Sequence, residues 1–244
     1  LQWHDGAWPR LASPAFNADW GGNVVALEGS LQEQWDATIA VDLAHPELIL
    51  PGMQGRIQGR ADVSGPERTP DVLLDVTMEQ GAYAGHGAQS ARLQATLPGL
   101  GTAQGDASLV LSGMTIKNGV AIGDLSLSAR GVLSEHQLTW QFQGNPASMS
   151  GQLAGGWDHA TGNWWGNLHQ GQISIGEWQW LLSSETPLSW EPASRTFLLG
   201  DHCWSSETAS LCADEPVIVG PSGSVVLSLR DFQTERLAPF MPDG

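Results

Sequence analysis

Asp106-Ala-Ser-Leu-Val-Leu-Ser-Gly113 sets out the fold in eight residues. Its period of two is that of an extended strand, sending Leu109 and Leu111 to one face and Ser108, Val110 and Ser112 to the other. The pattern returns in Gly123-Asp-Leu-Ser-Leu-Ser-Ala-Arg130 and Ser224-Val-Val-Leu-Ser-Leu-Arg230. Short alternating segments of this kind, punctuated by glycine, run from about Gly22 to Leu229 and predict one long sheet with an apolar side.

Working outward, apolar residues recur at every second position in Asn23 to Leu27, Trp35 to Leu43 and Gly52 to Val63. Gly65-Pro66 and Pro70 break the series in the loop Ser64 to Pro70. Val72 to Met78, Ala91 to Leu97, Ala107 to Gly113, Val120 to Ala129 and Gln137 to Phe142 resume it. The spacing of about 12 to 18 residues is too short for helical crossovers and suits an antiparallel meander. Residues 1–23, with Trp3, Trp8, Pro9, Pro14, Phe16 and Trp20, are expected to form an irregular end segment. Residues 24–244 are expected to form a continuous repeating sheet. Met149 to Trp180 holds two turn signals, Gly155-Gly156 and Ala160-Thr-Gly162, among Trp157, Trp164, Trp165, Trp178 and Trp180. That cluster reads either as packing at a bend or cap, or as a surface that stacks on sugars or meets lipid interfaces.

The 244 residues include 30 glycines and only 15% charged residues, a balance that favours tight turns and strands over helices. Ten basic residues face 26 acidic ones, for a formal charge of -16. No basic stripe exists for phosphates, so nucleic acid is excluded as a partner, and the acidity opposes electrostatic attachment to anionic lipid. No apolar run approaches the roughly 20 residues of a spanning helix. The start, Leu1-Gln-Trp-His, carries neither an initiator Met nor a signal peptide, and the chain reads as a segment of a longer protein.

No nucleophile elbow, metal-binding His-Glu-x-x-His, Walker loop, dinucleotide fingerprint or EF-hand loop occurs. The histidines at 4, 45, 86, 136, 159, 169 and 202 are scattered. Asp201 with Asp214, or Asp71 with Asp75, would make a glycosidase pair only in a cleft that raised one pKa. The expectation is a protein that is not an enzyme and has no metal or cofactor.

Cys203 and Cys212 flank the polar turn Ser205-Ser-Glu-Thr208. If Arg195 to Cys203 and Ala209 to Val219 pair as neighbouring strands, the sulfurs come to bonding distance, implying an oxidising compartment such as the periplasm. Two inert core thiols, or a metal site with His202 and Asp201 that lacks a fourth ligand, are the alternatives. At longer range, Ala40-Val-Asp-Leu-Ala-His-Pro-Glu-Leu-Ile-Leu-Pro-Gly52 and Leu229 to Gly244 both run from an aliphatic strand through a polar loop to a Leu, Pro and Gly ending.

His202-Cys-Trp204 followed by Ala209-Ser-Leu-Cys212 looks like a cysteine hairpin of the TamB family, within the AsmA-like group of bridging lipid-transfer proteins. Gly131-Val-Leu-Ser-Glu-His-Gln-Leu138, Gln143-Gly-Asn-Pro146, Gly151-Gln-Leu-Ala-Gly-Gly-Trp157 and Gly162-Asn-Trp-Trp-Gly-Asn-Leu168 follow the same order of strands and turns. Leu237-Ala-Pro-Phe-Met-Pro242 is similar to a recurring segment of that family. The resemblance covers about Gly52 to Gly244. It implies a periplasmic piece of an inner-membrane-anchored bridge whose anchor is absent from this chain. It also implies the outer-membrane barrel partner TamA, met through regions outside this fragment.

The fold that follows is all-β: a long curved, mainly antiparallel sheet forming an open trough with an apolar concave groove, of the β-taco type. A closed β-solenoid is the alternative. About fourteen strands at roughly 4.8 Å would extend on the order of 65 Å. Alternation places Ile57, Val76, Leu93, Leu109, Leu111, Ile122, Leu125, Leu127, Leu138 and Trp140 along the groove, where phospholipid acyl chains would slide in support of outer-membrane biogenesis. Moving such a chain through water costs roughly 0.8 kcal/mol per methylene, which a continuous groove largely removes. The rival readings are a chaperone-like assembly factor for outer-membrane barrel proteins, a structural or adhesive β-solenoid, and a carbohydrate-active enzyme on a β-helix.

Overall fold

The computed structural model describes residues 11–116, 120–220, 223 and 225–233. Every strand pairing described below is antiparallel, and the chain divides into two compact units, residues 1–145 and 146–244.

The first unit is a meander in which each strand pairs with the next: β1 (Leu11–Trp20), β2 (Asn23–Leu31), β3 (Gln34–Leu43), β4 (Gln54–Pro66), β5 (Asp71–Tyr83), β6 (His86–Leu97), β7 (Gly105–Ile116), β8 (Val120–Val132) and β9 (Glu135–Gln143). Among the described residues β1 and β9 do not pair with each other, so the unit is an open sheet, neither a barrel nor a solenoid coil. β4 ends at Gly65-Pro66, where the ring removes the backbone donor that another rung would need. The expected irregular end segment is corrected in part. Leu11–Trp20 is a strand, its alternation masked by a shift in pairing between Ser13 and Phe16. Residues 1–10 lie outside the described residues, as does Leu237 to Pro242.

One end of this unit is tied loop to loop. Glu67 N–H donates to Glu33 O at 3.1 Å, Gly99 N–H to the Asp71 carboxylate at 2.7 Å, and Leu133 N–H to Gly101 O at 2.8 Å. The bonds link the β2–β3, β4–β5, β6–β7 and β8–β9 connections, with Asp71 at the start of β5 as one partner, so the strand ends are held in step. At the opposite end Asn23, fully buried, exchanges two 2.8 Å hydrogen bonds with the backbone of His45.

The second unit follows the same plan with interrupted strands: β10 (Ala147–Trp157), β11 (Trp164–Ile175), β12 (Trp178–Leu182), β13 (Thr186–Glu191), β14 (Thr196–Leu199), β15 (His202–Ser206), β16 (Ala209–Ala213), β17 (Val217–Val219) and β18 (Ser228–Arg230). β12 and β13 together lie along β11, β15 and β14 lie along them in turn, and β16 with β17 form the next line. The gaps at residues 183–185, 200–201 and 214–216 therefore fall side by side across three lines of strand. At this seam Gly200 N–H donates to Pro187 O at 2.8 Å, and a Cβ on Gly200 would meet the Pro187 ring at 2.6 Å. The interruptions raise the strand count above the expected fourteen.

The Cys203–Cys212 disulfide joins directly opposed residues of β15 and β16, with Cα atoms 4.1 Å apart. This overturns both alternatives, free thiols and a metal site; the neighbouring His202 Nδ1 instead lies 2.8 Å from Gly200 O. The turn expected at Gly155-Gly156 is also corrected, since β10 runs through both glycines and turns only after Trp157. They serve packing: a Cβ on Gly155 would strike the Trp164 indole at 2.5 Å, and one on the paired Gly166 would strike it at 2.6 Å.

Candidate functional site

Residues opposed across antiparallel strands share a face, so the pairings of the first unit can be followed as rows. One row runs Val41, Gly59, Val76, Leu93, Leu109, Leu127, Trp140 from β3 to β9. Beside it, two positions along each strand, runs Leu43, Ile57, Met78, Ala91, Leu111, Leu125, Phe142. On its other flank runs Ile39, Ala61, Leu74, Ala95, Ala107, Ala129, Leu138. Every position in the three rows is apolar or glycine. Gly59 is the narrowest link, and Val41 and Val76 close over it: a Cβ there would lie 3.2 and 3.1 Å from their methyl groups.

These rows bring together all the expected groove residues but one. Ile122 falls beyond Gly123, whose φ of 129° accompanies a shift in the β7–β8 pairing between Leu111 and Met114, and it stands outside the rows. Sequence reasoning passed over Val41, Leu43, Leu74, Met78 and Phe142, although each stands two positions from a residue of the neighbouring row. Substantial contacts in this unit run only between successive strands and from the short 3-10 turns to the sheet, so no second layer of described residues covers the rows. Even so, β9 alternates strictly between exposed and half-buried, with Leu138, Trp140 and Phe142 on the half-buried side. That protection comes from neighbours on the same face.

The reverse face is polar and carries the charges. Arg56 donates to Asp42 through Nε at 2.9 Å and Nη2 at 2.6 Å, and Arg92 donates to Asp75 at 3.3 and 2.6 Å. Arg60 grips Asp62 at 2.9 and 2.7 Å, and Thr38 also donates to Asp62. The arginine hydrogen bonds hold the Asp42, Asp62 and Asp75 carboxyls below the usual carboxylate range. Asp71 and Asp75, expected only conditionally as an acid pair, have separate partners, Gly99 N–H and Arg92. Among the described residues no group of three or more His, Cys, Asp or Glu is arranged to hold a metal ion.

In the second unit Trp157, Trp164, Trp190, Phe197 and Val219 form an aromatic-rich row across β10, β11, β13, β14 and β17. Gly155, Gly166, Leu188, Leu199 and Val217 run beside it. The tryptophans therefore line a sheet face, with Trp180 stacked on Phe232 at 6.4 Å, while Trp165 lies on the reverse and is 55% exposed.

Fold and surface together define an open antiparallel β-sheet protein whose first unit has one apolar face and one charged face. The chain belongs to the family described as TamB, N-terminal domain, which it matches over residues 7–244. It is 22% identical over 222 residues to the translocation and assembly module subunit TamB of Haemophilus influenzae, a match covering 90% of this chain and 17% of that protein. No solved structure matches the chain. Among the described residues no helix is long and apolar enough to cross a membrane.

Proposed function

We propose that this chain is a non-catalytic segment of a periplasmic bridge, and that its apolar rows carry phospholipid acyl chains between the inner and outer membranes. The observation that carries this reading is the row from Val41 to Trp140, apolar at every position but Gly59, backed by polar residues and covered by no second layer of described residues. Large contiguous apolar surface on a folded protein marks a ligand or partner. The seven strands of a row span on the order of 30 Å across the sheet, against about 15 Å for one leaflet of a bilayer, so an acyl chain can lie wholly on a row. With the rows on the concave side, the head group stays in water at the rim.

Family membership supports a role in the translocation and assembly module, in a protein anchored in the inner membrane and in contact with TamA. The test is binding of a fluorescent fatty-acyl probe to the chain. Leu109→Asp and Leu127→Asp each abolish binding, whereas Val110→Asp on the reverse face leaves it intact. Equal binding by all three variants would remove the rows from the mechanism.

A further inference from the structure

The connection from β3 to β4 displays three consecutive aliphatic side chains to solvent: Leu48, Ile49 and Leu50 are 57%, 54% and 42% exposed. This tip is built, not slack. Pro46 is buried, the turn Pro46–Leu48 is closed by Ile49 N–H and Leu50 N–H donating to Pro46 O at 3.0 and 2.9 Å, and Met53 N–H donates to Leu50 O at 3.0 Å. The buried Asn23 clamps its root through His45. The β1–β2 turn rests against it, for a Cβ on Gly21 would lie 2.7 Å from Leu48 Cδ1, and Trp20, the last residue of β1 before that turn, is 39% exposed.

The charges narrow what can cover it. No Arg or Lys occurs between Trp20 and Met53, and Glu47 is met by His45 Nδ1 at 3.1 Å. A chain of formal charge -16 with no cation at this tip has nothing to offer anionic head groups. Three aliphatics beside an exposed tryptophan are the side chains that partition into the lipid–water boundary, with the indole at head-group level.

We propose that the β1–β2 and β3–β4 connections form a docking tip that inserts Leu48, Ile49 and Leu50 into a zwitterionic phospholipid surface. The tip lies at the end of the sheet, apart from Leu109, and its docking does not depend on lipid moving along the rows.

The test is flotation of the chain with phosphatidylcholine vesicles. The chain and Val110→Asp, a change at an exposed position of the polar reverse face, co-float, and Ile49→Asp binds at least about tenfold more weakly. Vesicles enriched in phosphatidylglycerol capture less chain at low salt. Because Ile49 projects into solvent, Ile49→Asp folds, which an unchanged melting temperature verifies. Flotation of Ile49→Asp at the level of the parent chain, or preference for phosphatidylglycerol, would overturn the proposal. So would concentration-dependent self-association that Ile49→Asp abolishes, with no vesicle capture, since it would give the tip to a second copy. Loss of flotation in Leu109→Asp alone would transfer vesicle binding to the rows.

Discussion

Leu109 and Leu127 stand directly opposite each other across β7 and β8, while Val110, the next residue on β7, opposes Ser126 on the reverse face. One step along the chain thus changes a side chain from a link in an apolar row to an isolated surface residue, 46% exposed. Leu109→Ala is expected to lower stability by about 1–2 kcal/mol and Val110→Ala by less than about 0.5, because only the first removes packed methyl groups. Urea unfolding of the two variants measures the difference.

The cross-strand disulfide restricts the unfolded chain of the second unit. Closing a loop of this length contributes about 2–3 kcal/mol on the chain-entropy account. Replacing both Cys203 and Cys212 by serine should lower the melting temperature, and hydrogen exchange should quicken in β15 and β16 while β4 to β8 keep their protection.

Asp42, Asp62 and Asp75 carry depressed pKa values because an arginine hydrogen-bonds each carboxylate. The folded pKa lies below the unfolded one, so the stability these pairs add is fully present above the ordinary carboxylate value near ~4 and is lost as pH falls through the lower folded values. All three are exposed, so salt weakens the effect. Carboxyl titration by NMR should show Arg92→Gln returning Asp75 upward towards the ordinary range while leaving Asp42 in place.

Gly155 and Gly166 leave the space that the Trp164 ring fills. Gly155→Ala places a methyl group against that ring and the Trp165 carbonyl, and overpacking of this kind costs about 1–3 kcal/mol. A fall in melting temperature with a changed tryptophan emission would register it.

Which residues alternate was legible in the sequence; which residues meet was not. The period in Gly55 to Val63 assigns a face, and Ile57, Val76, Leu93 and Leu109 all stand on the face it implies. The partner of each residue depends on connection lengths and on pairing shifts such as the one after Leu111, whereas Ile122 stands an odd three positions before Leu125, off the face that alternation assigns to Leu125 and Leu127, and has no partner in the rows. Gly155-Gly156 reads as a turn because glycine signals either a reversal or a close approach, and only the Trp164 indole distinguishes the two. The gaps at 183–185, 200–201 and 214–216 had local signs in Pro187, Gly200 and Pro216. Their alignment into one seam is a product of the pairing alone.

The most direct test of acyl-chain carriage places a photo-crosslinking amino acid at Leu109 and, separately, at Val110 in the full-length protein in its native cell. Lipid attached at Leu109 and absent at Val110 is the predicted result. Absence of lipid at both positions, with crosslinks to unfolded outer-membrane barrel proteins instead, would contradict the conduit and favour an assembly chaperone.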